Sequence, residues 1–142
     1  MPKVWPIVLG IAISILAATL AVSVTDAQEN RIPSYEELPD GVLINKTKEL
    51  PEVKAFLAKY PGANVGVDRS GRLTVDYKQH YSEVTLNKSG TEVHPYIRLR
   101  IFMTTEGEPI EMYADCRDVH DKWTKAERDD VLGYLETETC FR

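Results

Sequence analysis

The sequence predicts an α+β domain behind an apolar N-terminal segment. The expected layout is a transmembrane helix, then an antiparallel sheet of about five strands with helices at both ends of the domain, in the order α-β-β-β-β-β-α. Three observations lead there. Val4 to Val24 contains no charged residue. The middle of the chain alternates apolar and polar residues, most clearly over 97–103. Apolar stripes with helical spacing stand before and after these alternating runs. Strands grouped between helices argue for an antiparallel sheet with its helices collected on one face.

The N-terminal run is VWPIVLGIAISILAATLAVSV. As a helix it spans roughly 31 Å at 1.5 Å per residue, about the thickness of the hydrocarbon layer. Pro6 falls in the first turn, where a missing N–H costs little, and Trp5 suits the headgroup interface. The competing reading is a signal peptide cleaved after Ala27, with small residues at the right spacing, although such apolar cores usually run only 7–15 residues. Lys3 before the run, and Asp26, Glu29, Glu36 and Glu37 after it, favour an inside N-terminus. Residues 1–27 are thus an anchor or signal segment. The expected location is the cell membrane, single-pass through residues 4–24 with the C-terminal domain outside; the alternative is secretion after cleavage near Ala27.

Residues 28–47 read as a stalk. They are polar, with Pro33, Pro39 and Gly41, and Ser34-x-x-Glu37 caps a turn or two of helix at most. A short apolar patch, Val42-Leu43-Ile44, is expected to tuck against the domain. The domain proper is expected over 48–142. Its first helix covers 51–60: Pro51 suits the first helical position, Pro61-Gly62 ends it, and Val53, Phe56, Leu57 and Tyr60 share one face. A hairpin follows. A three-residue loop, Arg69-Ser70-Gly71, sets Val67 opposite Leu73 and Val65 opposite Val75, with Gly71 left-handed. A third strand is expected over 81–86 with Val84 and Leu86 inward, before a turn at 87–90.

Ile97, Leu99, Ile101 and Met103 then alternate with Arg98, Arg100 and Phe102. A two-residue turn at Glu106-Gly107 would pair Met103 with Ile110, Ile101 with Met112, Leu99 with Ala114 and Ile97 with Cys116. On the other face it would pair Arg98 with Asp115 and Phe102 with Glu111. The last helix is expected over 125–138, opened by the capping box Thr124-x-x-Glu127, with Val131, Tyr134 and Leu135 inward.

The chemistry-bearing residues are few. Seventeen Lys and Arg against 22 Asp and Glu give a net charge of −5, which argues against nucleic acid as a partner. No G-x-S-x-G and no phosphate-cradling glycine pattern occurs, so no enzymatic activity and no cofactor are expected. Cys116 and Cys140, the only two cysteines, form an even pair in an exported domain and are expected to be bridged. Asn45-Lys46-Thr47 and Asn87-Lys88-Ser89 are candidate glycosylation sequons. The best metal candidate is Asp115, Asp118, His120 and Asp121, whose carboxylates and imidazole suit a divalent cation or copper, although the same stretch reads as a solvated loop. His80 and His94 are expected at the surface. Tyr96, Arg98, Arg100, Phe102, Glu111 and Tyr113, with Asp115, share the sheet face away from the helices. Aromatics with Arg are the composition of a protein-binding patch.

The stretch LPEVKAFLAKYPGANVGVDRSGRLTVDY, with IRLRIFMTTEGEPIEMYADC and a terminal YLETETC, resembles small single-span surface proteins of ammonia-oxidising archaea over residues 48–142. The helix followed by a hairpin is also similar to PepSY-type extracytoplasmic modules. These resemblances imply an extracytoplasmic domain that partners a protease or membrane complex, and carry no catalytic residues to this sequence. The expected function is a membrane-anchored extracytoplasmic binding or accessory domain, as a subunit or partner of a surface or membrane complex. The alternative is a surface metal-binding or metal-delivery protein.

Overall fold

The computed structural model describes residues 38–141. The transmembrane or signal segment, the cleavage point at Ala27, the Ser34–Glu37 cap and the stalk up to residue 37 lie outside the described residues. Among the described residues no helix is long and apolar enough to cross a membrane.

The domain is α+β. Three helices, α1 (Asp40–Lys48), α2 (Pro51–Lys59) and α3 (Val131–Thr137), accompany strands β1 (Asn64–Asp68), β2 (Thr74–His80), β3 (Thr85–Leu86), β4 (Glu92–Val93), β5 (Tyr96–Met103), β6 (Pro109–Arg117) and β7 (Trp123–Glu127). Five strands form an antiparallel sheet in the order β1-β2-β5-β6-β7, and β3-β4 is a separate two-stranded ribbon. Val75 and Tyr77, Ile97, Leu99 and Ile101, and Met112 and Ala114 line one sheet face. They share a core with Leu43, Val53, Phe56, Val131 and Leu135 from the three helices. The opposite face carries no helix among the described residues.

The hairpin β5-β6 follows the alternation read from sequence. Ile97 faces Cys116, Arg98 Asp115, Leu99 Ala114, Ile101 Met112 and Phe102 Glu111. Its turn is one residue longer than expected. The Thr104 N–H donates to Glu108 O at 2.7 Å and the Gly107 N–H to Thr104 O at 3.0 Å, around Thr105-Glu106-Gly107. Gly107 is left-handed, at φ 75°, as the third residue of such a loop requires. The extra residue appears as a bulge: Met103 pairs with Pro109 rather than Ile110, and Ile110 is left exposed.

Four other expectations are corrected. Residues 40–47 are not stalk but most of α1. Gly41, Asn45 and the β-branched residues of DGVLINKTK are poor helix formers, so packing holds this helix. Leu43 and Thr47, one turn apart, are both fully buried. The Thr47 hydroxyl donates to Ile44 O at 2.8 Å and shares a 2.8 Å hydrogen bond with the Tyr77 hydroxyl. Arg69 reaches Asp40 and donates to Leu38 O at 2.8 Å, and Lys46 pairs with Glu108.

In the first hairpin Val67 faces Val75 and Val65 faces Tyr77, two residues from the expected register. A two-residue shift preserves which face each side chain takes, so the alternation cannot detect it. The loop is Arg69–Leu73, tightened by Asp68 accepting from the Ser70 N–H and hydroxyl at 2.8 and 2.7 Å, and Gly71 is not left-handed.

Residues 81–86 do not supply a strand of the main sheet. Only Thr85 and Leu86 are extended, pairing with β4, and Val84 and Leu86 point to solvent. β5 takes the place beside β2 because seven residue pairs and three buried side chains, Ile97, Leu99 and Ile101, outweigh that short run.

Finally, Trp123–Glu127 is a strand, not the start of a helix. It completes the sheet beside β6, with Ala126 facing Ala114 and Thr124 facing Cys116. The Thr124 hydroxyl meets the Tyr134 hydroxyl at 2.9 Å instead of capping. A 3-10 turn, Arg128–Asp130, leads into the short α3.

Candidate functional site

The sheet face away from the helices is the candidate site. Side chains on one face recur every second residue and stand in rows across paired strands. The four rows are His80, Tyr96, Arg117, Trp123; Lys78, Arg98, Asp115, Lys125; Asp76, Arg100, Tyr113, Glu127; and Thr74, Phe102, Glu111, with Asp68 on β1. Of the expected face, Tyr96, Arg98, Arg100, Phe102, Glu111, Tyr113 and Asp115 all lie here.

Asp115 is the centre, fully buried in the open face of a sheet. Its Oδ1 accepts from Arg98 Nε at 2.9 Å. Its Oδ2 accepts from Arg98 Nη2 at 3.0 Å, the Tyr96 hydroxyl at 2.9 Å and Trp123 Nε1 at 3.2 Å. Arg98 thus engages Asp115 with two nitrogens, the geometry in which guanidinium and carboxylate bind most strongly. Arg100 grips Asp76 across β2 in the same way, with Nε at 2.7 Å. The aromatic rings carry cations. Lys78 Nζ lies 4.3 Å from the Tyr96 ring centre, Lys125 Nζ 4.3 Å from that of Tyr113, and the Arg72 guanidinium 4.1 Å from that of Phe102. Phe102 and Tyr113, whose exposure side by side would be costly, are 6.0 Å apart in tilted contact, and Arg72 also binds Glu111.

Electrostatics make one position unusual. Lys78 stands directly opposite Arg98, and like charges directly opposed destabilise a sheet. Desolvation, and then the Arg98 charge, hold the Lys78 ammonium below the usual lysine range despite Asp115 and Asp76 nearby. The Asp76 bond, offset by burial, pushes Arg100 further up. Burial comes first in raising the Tyr96 hydroxyl, with Asp115 adding to it.

Asp76, Lys78, Arg72, Trp123 and Lys125 were missed in the sequence reading. Their signal was present in part. Asp76 and Lys78 alternate with Val75 and Tyr77, but only the pairing of β2 with β5 brings them to Arg98 and Arg100. Trp123 and Lys125 join only because β7 is a strand.

The other sequence candidates lie elsewhere. Cys116 and Cys140 stand at disulfide distance, Cα atoms 5.9 Å apart, joining the end of β6 to the chain beyond α3. Beside them Glu138 accepts from Lys59 Nζ at 2.7 Å, from the Tyr60 hydroxyl and from the Cys140 N–H at 2.7 Å. Burial alone would raise the Glu138 carboxyl; these three donors outweigh it and hold it below the usual glutamate range. Asn45 is exposed on α1, but the Thr47 of its sequon is buried. Asn87 is built into its own turn, its Oδ1 accepting from Ser89 and Thr91 and its Nδ2 donating to Asp121.

The metal candidates do not converge. Asp115 faces the sheet rows; Asp118 caps its own loop through the His120 and Lys122 N–H groups at 2.9 Å; Asp121 binds Arg117 and Asn87. Among the described residues no group of three or more His, Cys, Asp or Glu is placed to hold a metal ion. His80 and His94 are exposed. No family model, curated protein or solved structure matches the chain significantly.

Proposed function

We propose that this chain is a membrane-anchored extracytoplasmic binding domain without enzymatic activity, which docks a protein partner of a surface or membrane complex on the outer face of its sheet. The observation that carries the reading is that this face is both aromatic and preorganised. Tyr96, Phe102, Tyr113 and Trp123 are set among arginines whose rotamers Asp76 and Asp115 fix. Large rigid side chains that are already ordered lose little entropy on association, which is why aromatic and Arg residues dominate binding energy in interfaces. The uncharged run 4–24 and a cysteine pair at disulfide distance support placement outside an anchored membrane.

The test is site-specific photocrosslinking in intact cells. A photoreactive residue replacing Phe102 is expected to give one discrete protein adduct, and the same residue at exposed Leu132 of α3 none. Adducts from both sites alike, or from neither, would refute docking on this face. Carbonate washing of membranes tests the anchor. Recovery in a soluble fraction with Gln28 as N-terminus would overturn it.

A further inference from the structure

We propose that the partner segment crossing this face is acidic where it meets the Lys78–Arg98 row and basic about two residues further along the strands. This rests on the docking reading and adds the partner's chemistry.

The charge of the face changes sign within a few ångströms. The second row carries Lys78, Arg98 and Lys125 against Asp115, with Lys125 paired to Glu127 of the third row. The third carries Arg100 against Asp76 and Glu127, and the fourth has Asp68 and Glu111 with Arg72 as counter-charge. Successive rows lie about 7 Å apart, two residues of strand rise.

With Lys125 paired to Glu127 and Arg98 to Asp115, the excess positive charge of the second row sits at Lys78. Asp115 is buried and already accepts from Arg98, Tyr96 and Trp123. Lys78 is held over the Tyr96 ring, facing Arg98 across β2 and β5. A carboxylate set above both relieves their mutual repulsion and gains charge-assisted hydrogen bonds. It also restores an ordinary ammonium to Lys78, whose proton affinity is depressed by desolvation and by Arg98.

The same gradient selects against evenly charged polyanions. A nucleic-acid backbone or an anionic bilayer that satisfies the second row presents further negative charge to Asp68 and to cations already engaged, Arg100 by Asp76, Lys125 by Glu127 and Arg72 by Glu111. A polypeptide whose charge reverses along its length meets both halves. The net charge of −5 disfavours long-range capture of a polyanion as well.

The test uses the full chain, 15N-labelled in detergent micelles. The probe is a blocked heptapeptide with two glutamates at one end, two lysines at the other and tyrosine between them. Saturable shifts are expected at Lys78 and Arg98, and Lys78→Gln should weaken the apparent affinity about tenfold or more. Lys54→Gln, on α2, should leave it unchanged.

The inference is overturned if Lys78→Gln leaves peptide affinity intact. It also fails if an oligothymidylate or phosphatidylglycerol vesicles bind as tightly as the peptide. Self-association that disappears in Lys78→Gln would assign the face to a second copy and overturn it too. A Phe102-site crosslink that survives Lys78→Gln would leave docking standing and remove only the charge rule. Loss of the Phe102 adduct in the parent chain removes the docking reading itself.

Discussion

Removing the Asp115 carboxylate should destabilise this domain more than any other single change on the exposed face. Asp115→Ala deletes the acceptor of four hydrogen bonds, from Arg98 twice, Tyr96 and Trp123. The pair is largely out of water, with side-chain exposures of 19% for Arg98 and 1% for Asp115. Breaking a buried pair by deleting one partner costs about 3–5 kcal/mol. Because Arg98 keeps some contact with solvent, the lower end, about 3 kcal/mol, is expected. Arg98 is then left facing Lys78 with its own counter-charge gone. For a domain of this size that is a fall of roughly 12–24 °C in Tm.

The assay is urea unfolding followed by Trp123 fluorescence in a Trp5→Phe background, which leaves a single reporter beside the mutated group. Arg98→Met combined with Asp115→Leu should cost clearly less than Asp115→Ala. The apolar pair leaves no charge unpaired, and the exposed Trp123 and half-buried Tyr96 can turn their polar atoms to water. A loss below about 1 kcal/mol for Asp115→Ala would place Asp115 in the ordinary surface range and refute the account of the face.

Three further outcomes follow from the packing. Gly107→Ala should cost about 1–2 kcal/mol in thermal unfolding, since it puts a side chain at φ 75° with its Cβ 2.7 Å from Leu38 Cδ1; an unchanged Tm would contradict this. Peptide mapping of native material without reductant should recover Cys116 joined to Cys140. Closing their 24-residue separation is worth about 3 kcal/mol in the chain-entropy model, and two free thiols would refute the bridge. Glu138 titrates lower folded than unfolded, so its contribution is present above the ordinary glutamate range and is lost as pH falls through the depressed folded value. Stability of the parent chain should therefore drop more steeply in acid than that of Glu138→Gln, and parallel profiles would show that the carboxylate carries none of it.

The residue pattern determined much of this protein by itself. Strict alternation over Tyr96–Met103 and Pro109–Arg117 was enough to pair Ile97 with Cys116 and Arg98 with Asp115. Burial of one face makes a one-residue slip expensive along the whole strand. Helix α2 was legible from Pro51, Pro61-Gly62 and its apolar stripe. Most of the candidate face, Tyr96 to Asp115, was legible for the same reason. What tertiary structure decided are choices where local preference is weak or misleading. DGVLINKTK is a poor helix by propensity and becomes α1 because Leu43 is buried in the core and the Thr47 hydroxyl meets that of Tyr77. Thr124 to Glu127 resembles a helix start and becomes β7, because β6 offers an unpaired edge and Ala126 and Thr124 are small enough to lie beside Ala114 and Cys116. A two-residue shift of β1 leaves every side chain on the same face, so no alternation could set it. The partner of Arg100 lay beyond the sequence too: Asp76 meets it only when β5, rather than residues 81–86, takes the edge of β2. Local periodicity records which side of a strand is buried, but the choice of neighbouring strand depends on competition among distant segments for the same edge.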